Sequence, residues 1–113
     1  MIIILKHSAT LQDFVVKVDD EIGEGILKSG IQSVNAVAVT NPLAIVPQQD
    51  PNSGGVRVGL MPFSFTLEED TEIIWDSSHF LTAFKAHKEM EQLYIKHTSN
   101  IQIASSLEGV GKP

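Results

Sequence analysis

The chain has 113 residues, no cysteine and a formal charge of −6, from 8 basic and 14 acidic side chains. That length suits one compact domain; the missing cysteines exclude a disulfide framework and thiolate metal sites, and the acidic balance excludes unaided attraction to a polyanion. Leu, Ile, Val and Phe supply 36 residues, enough to bury a core, and Ile with Val outnumber Leu by 22 to 9. Such β-branched side chains crowd the turns of a helix and pack well on a pleated surface, so the composition favours β structure.

In chain order, residues 2–6 form a short apolar run ended by Lys6 and His7, too short for a membrane span and without the basic start of a signal peptide. A soluble, cytoplasmic protein that does not engage a membrane is expected. Residues 2–6 and 11–18 read as two strands joined by a turn at residues 7–10, with a helix over residues 10–18 as the alternative. Gly23, Gly25 and Gly30, following Asp19-Asp20-Glu21, interrupt any periodicity, so residues 22–31 are expected as a loop.

Residues 34–67 carry most of the signal. Alternation over Val34 to Thr40, the apolar run Leu43 to Val46, a polar stretch at residues 48–55 and a second alternating run at residues 56–67 predict a long antiparallel hairpin. Pairing residues whose numbers sum to 104 sorts the faces best. It sets Val37 against Leu67, Val39 against Phe65 and Leu43 against Met61, and on the other face Ala36 against Glu68, Ala38 against Thr66 and Thr40 against Ser64. This register faces Pro42 with Pro62, and since neither can donate to the ladder, a bulge and a sharp bend are expected there. Beyond the prolines both faces are apolar, with Leu43, Ile45 and Met61 on one and Ala44, Val46, Val58 and Leu60 on the other. A second subunit is expected to cover Ala44, Val46, Val58 and Leu60, which makes the chain a homo-oligomer. Phe63, Phe65, Phe80, Phe84 and Trp75 read as core.

After the acidic turn Glu68-Glu69-Asp70, residues 71–75 and 79–85 read as strands, and residues 87–98 as a helix on the spacing of Met90, Leu93, Tyr94 and His97. A single helix over residues 79–98, capped by Ser78, is the alternative. Residues 104–113 read as a mobile tail, leaving residues 1–103 as one domain.

The segments Asn41-Pro42-Leu43-Ala44-Ile45-Val46-Pro47 and Val58-Gly59-Leu60-Met61-Pro62-Phe63, with the terminal strand and helix at residues 79–98, resemble small Sm-like proteins of cyanophages and related marine phages. The resemblance covers residues 33–99. It implies a mainly β fold, a small, strongly bent Sm-like barrel with a C-terminal helix, assembled into a homo-oligomeric ring. It also implies single-stranded RNA as a ligand, and the cytoplasm of an infected host cell as the location. Tyr94-Ile95-Lys96-His97 is similar, with one residue interposed, to the tyrosine-lysine-histidine element of bacterial Sm-like RNA chaperones. Arg57, the only arginine, with Lys96 and His97, is the expected RNA contact set. The glycine-aspartate-asparagine and arginine-glycine signatures of the family are not present in this sequence. An oligomeric structural or adaptor protein of phage origin that lost the RNA site and binds protein partners is the alternative.

Other motifs resolve to structural readings. His87 and Glu91 have the spacing of two metal ligands, but a site needs three or four, and His7, His79 and His97 have no ligand spacing, so no metal is expected. Gly23 to Gly30 has no glycine before Lys28 and is not a phosphate loop. The acidic clusters at residues 19–21 and 68–70 read as solvated turns with no nucleophile beside them. No catalytic residues, no cofactor and no enzymatic activity are expected.

Overall fold

A computed structural model describes the backbone of residues 1–111 and the side chains of residues 1–99. The protein is mainly β, a six-stranded antiparallel sheet followed by a C-terminal helix. The strands are β1 (Ile2–His7), β2 (Asp13–Lys17), β3 (Ala36–Gln49), β4 (Val56–Pro62), β5 (Glu72–Asp76) and β6 (Phe80–Lys85), and the helices α1 (Asp20–Ser29) and α2 (Lys88–Gly111). The hydrogen-bonded order is β4-β3-β2-β1-β6, with β5 pairing the first part of β3. A 3-10 turn, Ser77–His79, carries the chain from β5, paired with β3, to β6, paired with β1, and so links the two sides of the sheet. The sheet is curled about its inner face.

That inner face holds Ile3, Leu5, Val16, Val18, Val37, Val39 and Phe80, closed off at one end by Ile26 of α1 and Ile31. The outer face of β1 and β2 carries Ile4 and Val15, which pack with Leu43, Ala86 and Tyr94 beneath α2. Strand periodicity explains the division: successive side chains of β1 and β2 point to opposite faces, and each face has its own helix.

Residues 22–31, expected as a loop, are mostly helix. Asp19 caps α1 by accepting the backbone N–H of Glu21 at 3.1 Å, Asp20 and Glu21 stand in the first turn, and Lys28 in the last, the polarity the helix dipole favours. Gly30 ends it with φ of 92° and an N–H to the carbonyl of Ile26 at 2.7 Å. Gly23 is no breaker either: a Cβ there would lie 2.6 Å from the sulfur of Met1, so its absence lets the helix sit down on the sheet.

The hairpin at residues 34–67 is corrected in two respects. Its register sums to 105, pairing Ile45 with Leu60 and Leu43 with Pro62, so Pro42 does not face Pro62. Leu60 and Val58 therefore share a face with Leu43 and Ile45, while Met61 goes with Ala44 and Val46. The loop at residues 50–55 sets this register: Asp50 and Gly55 close it at 2.8 Å, Gly54 adopts φ of 70°, and the Asp50 carboxylate accepts the N–H of Asn52. Second, residues 63–71 leave the sheet. β5 takes their expected place beside β3, setting Val37 against Trp75 and Val39 against Ile73. None of the pairings of residues 36–40 with residues 64–68 forms, and Phe65 is 86% exposed.

A bulge does occur at the expected place along β3, but toward β2. Between Lys17↔Thr40 and Val15↔Leu43, β3 advances three residues while β2 advances two, and Asn41 takes φ of 49°. The extra residue reverses the phase of β3: Val37 and Val39 point into the inner core, and after the bulge Leu43 belongs to the outer one. A single alternation pattern laid over residues 34–46 mixes these two phases. Polar groups brace the bulge. Asn41 donates to the Asp70 carboxylate and accepts the Asp70 N–H, both at 2.9 Å, and the Tyr94 hydroxyl of α2 donates to the carbonyls of Thr40 and Asn41, 3.2 and 2.9 Å away.

Strand then helix, rather than one helix over residues 79–98, is the arrangement observed. His87 precedes α2 and its Nδ1 accepts the Glu89 N–H at 3.3 Å. The backbone of residues 104–111, expected as a tail, continues the helix; residues 112–113 lie outside the described residues. Among the described residues no helix is long and apolar enough to cross a membrane.

Candidate functional site

An open groove of about 500 Å³ lies at the corner where β5 passes to β6 and β1 turns into β2. Its wall is aromatic. Phe14 of β2, Trp75 of β5, Phe80 of β6 and Phe63 just beyond β4 come from four separate parts of the chain. Trp75 stacks on Phe80 with centroids 5.3 Å apart and planes at 20°, while Phe14, Phe63 and Trp75 meet edge to face at 5.1–6.0 Å. The bulge positions two of them. It turns Ala44, opposite Phe14, toward this side of the sheet, and the Pro42 carbonyl accepts the N–H of Phe63 at 3.2 Å.

Two histidines form the rim. His7 and His79 lie parallel, 5° apart with centroids at 6.2 Å, and His7 also meets the edge of Phe80. His7 is held by its turn: its Nδ1 faces the N–H groups of Ala9 and Thr10 at 3.3 and 3.4 Å, so that nitrogen acts as the acceptor. Ser8 donates to the His79 carbonyl through both its N–H, at 2.8 Å, and its hydroxyl, at 3.0 Å, fastening the two sides of the rim. Asp76 completes it. The backbone N–H and hydroxyl of Ser78 hold the Asp76 carboxyl below the usual carboxylate range, so it is ionised at neutral pH. No lysine or arginine is among the described residues lining the groove. Lys6, next to His7 in the chain, is spent on Asp13 at 2.8 Å.

The residues singled out from the sequence do not gather here. Arg57 is exposed on β4 opposite Gln48, and Lys96 is exposed on α2. His97 is half-buried, its Nδ1 enclosed without a hydrogen-bond partner among the described residues. Tyr94 is buried and its hydroxyl serves the bulge; burial pushes that phenol well above its ordinary range. Ala44 and Val46 are half-buried on one face of the arm, whereas Leu60 packs under α2 and Val58 is 51% exposed on the other face. Of the aromatic residues read as core, Phe80 is buried and Trp75 half-buried, while Phe63, Phe65 and Phe84 are exposed. Nothing in the sequence pattern marks Phe14, His7 and His79 as groove residues. The available signal was the chain's single tryptophan followed by Asp76, and it reads equally as a strand end.

A second hollow, about 210 Å³, lies beneath residues 63–69 and is bordered by Pro42, Leu43 and Thr98. No family model matches the chain, and no curated protein is similar to it.

Proposed function

We propose that this protein works by binding: a self-associating small β-barrel of Sm-like type whose aromatic groove holds a segment of a protein partner. The observation that carries the reading is the groove itself, with four rings from separate parts of the chain and a rim whose ionised member is an acid. Apolar walls with a few fixed polar groups are the usual make-up of a recognition site. Nucleic-acid binding draws most of its affinity from cations on phosphates, and the groove offers none among its described residues while the chain carries −6.

Self-association is supported by the sheet's ends. β4 and β6 terminate the hydrogen-bonded order, and each carries exposed apolar side chains, Val56 and Val58 on one and Leu81 and Phe84 on the other. Unpaired strand edges of this kind recruit further strands unless something covers them. Pairing of the two different edges would be head-to-tail, the arrangement that gives a ring where the rotation between subunits closes and a filament where it does not.

The single-stranded RNA reading draws on the exposed ring of Phe63, on which a base could stack, with Arg57, Lys96 and His97 as the phosphate contacts. Sedimentation of the pure chain together with titration of labelled single-stranded RNA at two salt concentrations tests both halves. The expected result is a particle several times the 12.3 kDa monomer and no saturable RNA signal. A monomer would overturn assembly, and RNA binding that weakens steeply with salt would replace the protein-partner reading with the RNA one.

A further inference from the structure

We propose that the groove beside Trp75 docks a proline-rich peptide segment carrying basic side chains. This deepens the protein-partner reading and rests on it, but it does not depend on assembly.

The ring geometry selects the ligand shape. Phe14, Phe63 and Trp75 touch one another at 5.1–6.0 Å, so they fill their own corner and leave no slot to enclose an ammonium group or to clasp a base on both sides. What they present instead are fixed ring faces, that of exposed Phe63 and the open parts of half-buried Phe14 and Trp75, backed by buried Phe80, with the His7 and His79 pair continuing the wall along the rim. Prolyl rings pack on such faces, and a polyproline II segment arrives already extended, so little ordering cost is added on binding. Because that conformation has no internal hydrogen bonds, its carbonyls need donors from the partner. The indole N–H of Trp75 makes no hydrogen bond to another described residue, and we assign it the role of such a donor.

Charge selects the composition. Asp76 is the one carboxylate among the described lining residues; Ser78 holds it through its N–H, at 2.9 Å, and its hydroxyl, and the group is fully exposed, so its charge faces solvent where an incoming cation would lie. With no lysine or arginine among the described lining residues and −6 overall, the groove complements a basic segment and repels a phosphodiester.

Trp75 is the only tryptophan, so its emission reports occupancy of the groove in the full chain without a label. The probe is a short synthetic peptide of repeated Pro-Pro-Arg triplets, run against the same peptide with alanine for proline and against oligouridylate. The expected outcome is a saturable blue shift with the proline peptide alone. Phe63→Ala, which removes an exposed ring, and Asp76→Asn should each weaken it about tenfold, with unchanged circular dichroism. No shift with the folded wild-type chain, an equal shift with the alanine peptide, or a shift unaffected by Phe63→Ala would overturn the proposal. A shift with oligouridylate would overturn it together with the protein-partner reading, whereas silence toward both probes removes the proline ligand alone.

Discussion

The two ends of β3 make an instructive pair. Before the bulge, Val37 and Val39 are fully buried and alternate with half-buried Ala38 and Thr40, because the curled sheet and α1 close over one side only. After it, exposure rises along the strand from buried Leu43 through half-buried Ala44, Ile45 and Val46 to exposed Pro47, Gln48 and Gln49. The side chains on the two ends are equally apolar up to Val46. The difference is what lies opposite: a second layer covers the first end, and the arm formed with β4 runs out past its cover. Alternation therefore marks a core where another layer closes on the strand, and marks a surface awaiting a partner where none does.

The sharpest way to break this comparison is to delete the same atoms at both ends. Val39→Ala should lower stability by about 2 kcal/mol, from lost transfer energy plus the cavity left in the inner core. Val58→Ala on the arm should change it by less than about 0.5 kcal/mol. Urea unfolding of the two variants decides the matter. Equal losses that persist at a dilution where the chain is monomeric would mean that the arm is as much a part of the monomer's core as the first half of β3.

The junction between the two ends offers the next largest effect. Tyr94→Phe removes the hydroxyl that serves the carbonyls of Thr40 and Asn41, and leaving these without their donor should cost about 1–2 kcal/mol in the same unfolding experiment. The tyrosine also gives the comparison a pH dependence. Its folded pKa is raised above the ordinary value near 10, so the folded state holds the proton more tightly than the unfolded chain. The resulting stability is complete below about pH 10 and falls as pH rises beyond it. As the only tyrosine, Tyr94 can be followed by tyrosinate absorbance, which should appear together with unfolding rather than before it. Tyrosinate forming while the chain is still folded would show that the latch at the bulge opens by itself.

Much of the framework was legible in the sequence, and the errors have physical causes. All six strands and the start of α2 follow from apolar runs and from the change of period near His87, since these are local patterns. α1 is hidden in the sequence because its glycines read as breakers, although Gly23 is a packing contact and Gly30 a terminus. The hairpin register slipped by one because the phase of β3 reverses at Asn41, and a bulge leaves no periodic trace of its own. The groove was the least legible feature. Phe14, Phe63, Trp75 and Phe80 are dispersed along the chain and meet only because β5 displaces residues 63–71 from the edge of β3. Asn41 and Asp70 tie the end of that displaced segment to the bulge, and nothing in their sequence spacing announces their mutual bonds.

The smallest expected effect lies at the groove's rim and separates it from the bulge. Asp76 is fully exposed, and its pKa is lowered by the backbone N–H and the hydroxyl of Ser78, with a lesser contribution from the charge of His79. A folded pKa below the unfolded one means that the carboxylate's contribution is present above the unfolded value and disappears as pH falls through the folded value. The acid limb of a stability profile should thus flatten slightly in Asp76→Asn, below the ordinary carboxylate range, with no change on the alkaline limb set by Tyr94. Carboxyl chemical shifts across an acid titration check the assignment directly. If Asp76 titrates at the ordinary position, the turn between β5 and β6 is not held by that carboxylate, and the rim of the groove is looser than its parallel histidines indicate.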